Sequence, residues 1–413
     1  LANIITSSAK RKHLLPRIGV FKLKILFLSV HYYSDCQLYL PTNPLALKKI
    51  ICTVTNDLSY DQRMQRICTS LANGGYEVWL IGRKLKDSKP LAQQAFHQKR
   101  LTCWFNHGFL FYAEYNLRLF IYLFFAKSDA LYAVDLDTIM PVFWASELRG
   151  KKRLYDAHEL FTEQKEIVTR PVVYKFWMAI ERFAVPKFRH GYTVNRFIQQ
   201  ELHKRYGVHF GIIRNLPVKD ESIFATTTVQ HQPFIIYQGA VNEGRSFETL
   251  IPAMQQVNAP LMICGKGNFF EQTKALVKQY QLEEKVILKG YVTPAELKLI
   301  TPTAAIGLTL FESTGLNQYY SLSNRFFDYI NAEIPQVCVG YPEYKAIVDQ
   351  YEVALLIENT DQTTIAAALN NLLTDTVLYN RLKQACKQAK QELNWENESQ
   401  QLLLAWKKVF NPY

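Results

Sequence analysis

Short apolar runs alternate with amphipathic stretches along most of this 413-residue chain. Residues 49–55, 76–81, 131–134 and 153–155 read as buried strands. Between them lie helical patterns from about 61 to the Gly74-Gly75 stop and over 138–148 with Gly150 beyond. The alternation resumes downstream, with strands at 234–237, 261–264, 286–288, 305–310 and 353–357. Helices are predicted at 247–256, 270–279, 294–300 and through 361–391, and the last, about 396–409, is amphipathic. Strands alternating with helices predict parallel sheets covered on both faces. The polar, Pro-containing stretch 215–220, followed by threonines at 226–228, predicts a hinge. The expected divisions are an extension at 1–46, Rossmann-like domains at 47–216 and 217–395, and a terminal helix, 396–413, packing back toward the first domain.

Two apolar stretches break the alternation. Residues 109–126 carry Glu114, Asn116 and Arg118 inside the run, which makes a core helix the better reading than a bilayer span. Residues 170–190 interleave Trp and Phe with Lys and Arg, the pattern of a helix lying on a membrane or of an ordinary packing helix. Residues 1–46 begin with Leu, are basic over 10–24, and hold at 25–30 an apolar run too short to span a bilayer. They read as an extension outside the fold, or as a basic tail touching a membrane.

The segment 307–340 carries the most chemistry. It reads as a strand end, a polar loop with Gly315, a helix from about Asn324, and a second strand after Pro335. In open α/β sheets, ligands bind where strand carboxyl ends meet helix amino termini, and those termini favour phosphate. Asn324 and Arg325 start the helix, and Asp328 stands about one turn on. N–H groups and a cation for a diphosphate, beside a carboxylate for sugar hydroxyls, suggest a nucleotide-sugar site.

Composition narrows the setting. Apolar content of 48% and charged content of 20% are those of a globular protein. Seven scattered cysteines without ligand spacing suit a reducing cytoplasm and no structural metal. Residues 1–216 hold 32 Lys+Arg against 16 Asp+Glu, whereas 217–413 hold 16 against 20. Such asymmetry predicts an anionic partner for the first half. With no nucleic-acid motif, and with basic residues among large apolar ones, an anionic membrane surface is favoured over nucleic acid.

NDLSYDQRM (56–64), DLDTIMP (135–141), YDAHELFTE (155–163), YTVN (192–195), IIRNLP (212–217), YQGAVNEGRSFETLIPAM (237–254), MICGKGNFFEQTKALV (262–277) and the 307–340 segment occur in consistent order over about residues 48–395. Together they resemble the GT-B glycosyltransferases, and within them the retaining family 4 type. The resemblance implies an α/β fold of two Rossmann-like domains facing across a cleft.

It also implies roles. Arg245 stands where the family usually has a lysine on the donor diphosphate, and Arg325 is the second cation; the family's arginine five residues before is replaced by Ala240. Lys266, between Gly265 and Gly267, is a further phosphate contact or a solvated turn lysine. Gly239, Gly267, Gly315, Leu316, Asn317 and Asn324 fall in the donor-binding stretches. Of the family's two acidic residues, Asp328 fits the ribose-binding one, while Tyr320 replaces the one that contacts the donor sugar. His158, after a strand, is the expected contact to the transferred sugar. Asp57, Asp61, Arg63 and Asp135 face the acceptor, with Asp61 equally suited to cap a helix and Asp137 read as the cap of the next one.

The function implied is retaining transfer from a UDP- or GDP-sugar to a glycan or lipid-linked acceptor in surface polysaccharide or glycoconjugate synthesis, without metal or other cofactor. The setting expected is the cytoplasm, peripheral to the inner face of the membrane. Asp135-Leu136-Asp137 matches a metal-binding Asp-x-Asp only superficially, because two arginines supply positive charge. An epimerase of the same fold and a non-catalytic binding subunit are the alternatives. A Rossmann dehydrogenase is disfavoured, since neither 52–64 nor 237–249 contains GxGxxG.

Overall fold

The computed structural model describes residues 47–59, 61–219, 233–313 and 315–411. The expectations for residues 1–46 and for the threonines at 226–228 lie outside them.

The first sheet has seven strands: β1 (Lys48–Thr53), β2 (Tyr76–Lys84), β3 (His97–Thr102), β4 (Ala130–Val134), β5 (Lys152–Ala157), β6 (Gly191–Thr193) and β7 (Gly211–Ile212). Their order is β3-β2-β1-β4-β5-β6-β7, and every pairing is parallel. β1 and β4 are buried on both faces, which explains their continuous apolar runs. β3 lies at the edge and is mostly polar (HQKRLT), so no apolar run betrays it.

The second sheet has six strands: β8 (Ile235–Gln238), β9 (Leu261–Cys264), β10 (Val286–Gly290), β11 (Ile306–Thr309), β12 (Gln336–Val339) and β13 (Leu355–Ile357). The order is β10-β9-β8-β11-β12-β13, again all parallel. In both sheets the order reverses beside the first strand, and the crevice at such a switch point is where this architecture binds ligands.

The helix Trp395–Phe410 returns to the first sheet. Trp406 is fully buried in a cluster with Ile50, Cys52 and Ile67, its ring edge-on to Tyr132 at 5.5 Å. Trp395 Nε1 donates to Ser70 Oγ at 2.9 Å. The 109–126 run forms the helix Gly108–Phe125. Only Phe111, Tyr115, Leu119 and Leu123 of it are buried, so this core helix also has an apolar outer side. No helix among the described residues is long and apolar enough to cross a membrane.

Candidate active site

A cavity of about 440 Å³ is lined from both sheets, by His158, Glu159 and Asn195 on one side and by the ends of β8 and β11 and the helix Asn324–Asn331 on the other. On the second-sheet side β8 ends at Gln238, and Gly239 follows at φ 118°, a conformation open to glycine. A Cβ on Gly265 would stand 1.8 Å from the Gly239 carbonyl oxygen, so that glycine lets the turns after β8 and β9 touch.

Two guanidinium groups share this wall. Arg245 lies 4.3 Å from the centre of the Phe311 ring; Arg325 lies 5.2 Å from the same ring and 4.2 Å from Tyr237. Neither pairs with a carboxylate among the described residues. Burial and the neighbouring Arg325 charge push the Arg245 pKa down. Arg325 is held above its ordinary value, because the nearby Tyr237 and Tyr329 outweigh its burial. Arg245 Nε, Arg325 Nη1 and Ser323 Oγ are buried without a hydrogen-bond partner. Ser323 precedes the helix Asn324–Asn331 without capping it through its side chain, so the first-turn N–H groups lack that partner. Three orphaned polar atoms, two cations and an uncapped helix start make a site for an anion with several oxygens.

Asp328, one turn on, accepts from Gln238 Nε2 at 2.9 Å, and Thr301 Oγ1 fixes that amide by donating to Gln238 Oε1 at 2.7 Å. Burial raises the Asp328 pKa to about 6, against the pull of Arg66 and Gln238.

On the first-sheet side His158 follows β5. Its Nδ1 lies 3.2 Å from Asp135 Oδ2, and its backbone N–H donates to Asp135 Oδ1 at 2.9 Å. Its Nε2 lies 3.0 Å from Asp156 Oδ2 and 2.7 Å from Arg63 Nε. Arg63 Nη2 pairs with Asp156, and Tyr132 Oη donates to the same carboxylate at 2.6 Å. Burial alone would lower the imidazole pKa, but Asp135 and Asp156 raise it to about 10. Asp156 goes the other way, to about 2: Arg63 and His158 outweigh its burial. The imidazolium then donates to both carboxylates, and the Arg63 Nε contact becomes a hydrogen bond only in the neutral ring. Without the imidazole proton the two carboxylates face a single guanidinium, so charge balance favours the upward shift.

Among the expected residues, His158, Gly239, Arg245, Asn317, Asn324, Arg325 and Asp328 line the cavity together. Several others are placed differently. Arg63 is buried within the His158 network and does not face an acceptor. Asp57 is buried too, bound by Arg100 at 2.6 Å and by Ser88 and the Ser59 N–H, a loop-ordering role. Asp61 caps the helix Gln62–Asn73 through the Met64 N–H. Asp135 is outside the cavity lining and holds His158 through its carboxylate. Asp137 does not cap a helix; it is bound by Thr55 Oγ1, and burial, with Asp135 close by, raises its pKa to about 7.

Lys266 and Gly267 lie exposed in the turn after β9, off the cavity wall. Gly315 and Leu316 are exposed at the start of the short helix Leu316–Tyr319. The ring of Tyr320 is stacked flat on Phe197, with centroids 3.2 Å apart, and its carbonyl accepts from Asn195 Nδ2 at 2.8 Å. An aromatic in place of the acid thus ties the two halves together.

Glu159, which follows His158, also lines the cavity, together with Asn195, Gln238 and Ser323. Glu159 accepts from Asn317 Nδ2 at 2.8 Å across the cleft, a pairing of residues 158 apart that no local pattern signals. Gln238 had a signal, its place at a strand end.

Residues 218–389 match the family model described as Glycosyl transferases group 1. No curated protein matches the sequence. The fold is similar to that of sucrose-phosphate synthase from Thermosynechococcus elongatus (TM-score 0.71, 17% identity, 89% of this chain and 100% of that one). It is also similar to a glycosyltransferase from Rickettsia africae (0.70, 12%, 89% and 100%). Anabaena HepE, solved in complex with UDP-glucose, is a third similar structure (0.68, 11%, 87% and 99%). The chain thus has the GT-B fold of these structures, and its residues 218–389 match the glycosyl transferases group 1 family.

Proposed function

We propose that this chain transfers a sugar from a UDP- or GDP-sugar to a glycan or lipid-linked acceptor, with retention of anomeric configuration and without a metal ion. The carrying observation is the Arg245–Arg325 pair: two cations against one ring, without carboxylate partners, next to an uncapped helix start. Like charges held together in a low-dielectric wall are costly unless an anion joins them, and a diphosphate supplies the matching charge. Asp328, beside Gln238, suits a ribose hydroxyl. The HepE structure with UDP-glucose supports a uridine donor for this fold.

In the proposed reaction the bond from the sugar's anomeric carbon to the diphosphate oxygen breaks, and charge builds on that oxygen. Arg245 and Arg325 stabilise it. The acceptor hydroxyl attacks from the same face, forms the new glycosidic bond and gives its proton to the leaving diphosphate. His158, held by Asp135 and Asp156, donates to a hydroxyl of the transferred sugar. The Asp135 and Asp137 side chains are engaged with His158 and Thr55, which leaves the Asp-x-Asp sequence without a free carboxylate pair for a cation. Incubation with a panel of UDP-, GDP- and ADP-sugars and membrane or glycan acceptors, with and without chelator, tests the reading. Chelator-insensitive transfer supports it, and transfer abolished by chelator removes the metal-free part.

A further inference from the structure

We infer that the outer side of three helices on the first sheet is a docking face for an anionic lipid surface. The helices Gly108–Phe125, Ile139–Leu148 and Pro171–Ala184 cover one face of the first sheet, and their inner sides form a single core cluster. Their outer sides are apolar as well. On the first helix Leu117, Ile121, Phe124 and Phe125 follow one another at i, i+4, i+7 and i+8, and all four are exposed, Leu117 to 61% and Phe125 to 78%. Phe109 meets Phe176 edge-on at 5.8 Å, and Trp144 lies 6.0 Å from Phe183, so the exposed rings of the three helices form one surface. Trp104, 81% exposed, precedes the first helix. Soluble surfaces seldom carry so continuous an apolar face without a partner.

The charges on this face identify the partner. Lys127, Lys175, Arg182 and Lys187 are exposed and pair with no carboxylate among the described residues. Lys187 Nζ stands 5.1 Å over the Phe183 ring, an ammonium at the edge of an apolar surface. The acids are neutralised: Glu114 is bound by Arg118 and the Trp104 and Phe105 N–H groups, and Glu147 by Arg153. A second copy of the chain would meet like charge with like charge. Phosphate headgroups meet the cations while Trp and Phe enter the interface. The 109–126 run is therefore a two-sided helix, and 170–190 supplies much of the basic edge.

The test is vesicle flotation of the full chain with phosphatidylglycerol-containing and pure phosphatidylcholine vesicles, alongside quenching of tryptophan fluorescence by brominated lipid. The expected result is binding to anionic vesicles only, weakened by about 0.5 M salt, with Trp104 quenched. Lys175→Glu with Arg182→Glu should weaken binding by at least about tenfold, and Leu117→Glu with Ile121→Glu likewise, with UDP affinity unchanged in both variants. No flotation of the wild type overturns the inference, as does equal binding by the variants, which would locate the contact elsewhere. A wild-type dimer that Leu117→Glu with Ile121→Glu makes monomeric, without vesicle binding, assigns the face to a second copy instead. UDP affinity is read separately, so failure here leaves the donor-site reading standing.

Discussion

Arg63 Nε lies 2.7 Å from His158 Nε2 while Arg63 Nη2 holds the carboxylate that flanks the same nitrogen, Asp156, at 3.1 Å. A helix residue 95 positions upstream thus sets the place of the histidine that faces the donor half. Arg63→Ala leaves the buried Asp156 with His158 and Tyr132 but without its guanidinium partner, at a cost of about 3–5 kcal/mol. Urea unfolding should show that loss, with Arg63→Lys retaining part of the stability. Equal stability of Arg63→Ala and wild type would contradict the network.

The same cluster sets a pH dependence. The His158 pKa is raised, to about 10, so its contribution to stability is complete below the unfolded value of about 6.5 and is lost as pH rises through about 10. Asp156 is depressed to about 2; its contribution is present above about 3.9 and is lost as pH falls through about 2. Asp135→Asn removes the largest charge raising His158. NMR titration of the ring should then find a clearly lower pKa, and an unchanged one would disprove the pairing.

For Arg325, binding and stability should move in opposite directions. Its guanidinium sits beside Arg245 with Nη1 unpartnered, so Arg325→Met relieves repulsion in the free protein. The melting temperature without ligand should stay level or rise. UDP affinity should fall roughly 10- to 100-fold, the loss of one charged hydrogen bond of about 1.5–3 kcal/mol. Calorimetric titration and thermal unfolding together check this, and retained affinity would refute the anion site.

Tyr320 on Phe197 joins the two halves next to the cavity. A double-mutant cycle with Tyr320→Ala and Phe197→Ala should give a coupling of about 0.5–1.5 kcal/mol. Tyr320→Glu, which restores the family's acid, should lose that coupling. A coupling near zero would mean that the stack does not contribute.

Much of the fold was legible because buried parallel strands are apolar throughout: β1, β4 and β11 stand out as runs between helical patterns. β3 was hidden by its edge position, which permits His, Gln, Lys and Arg. Within the site, Arg325 and Asp328 were readable from one helix start. Arg63 was not, because its role depends on a β5 residue far away in the chain. Lys266 carries two readings from sequence, a phosphate contact or a solvated turn lysine, and its turn opens to solvent. Tyr320 looked like a defect in the donor site because its partner, Phe197, belongs to the other half.

Sugar transfer by wild type and by Arg325→Ala, across the nucleotide-sugar panel with chelator present, tests the central claim most directly. Turnover with one uridine or guanosine donor is expected, insensitive to chelator and roughly 100- to 1,000-fold slower in Arg325→Ala. Transfer at the wild-type rate in Arg325→Ala, or UDP binding with no turnover of any donor, would contradict it.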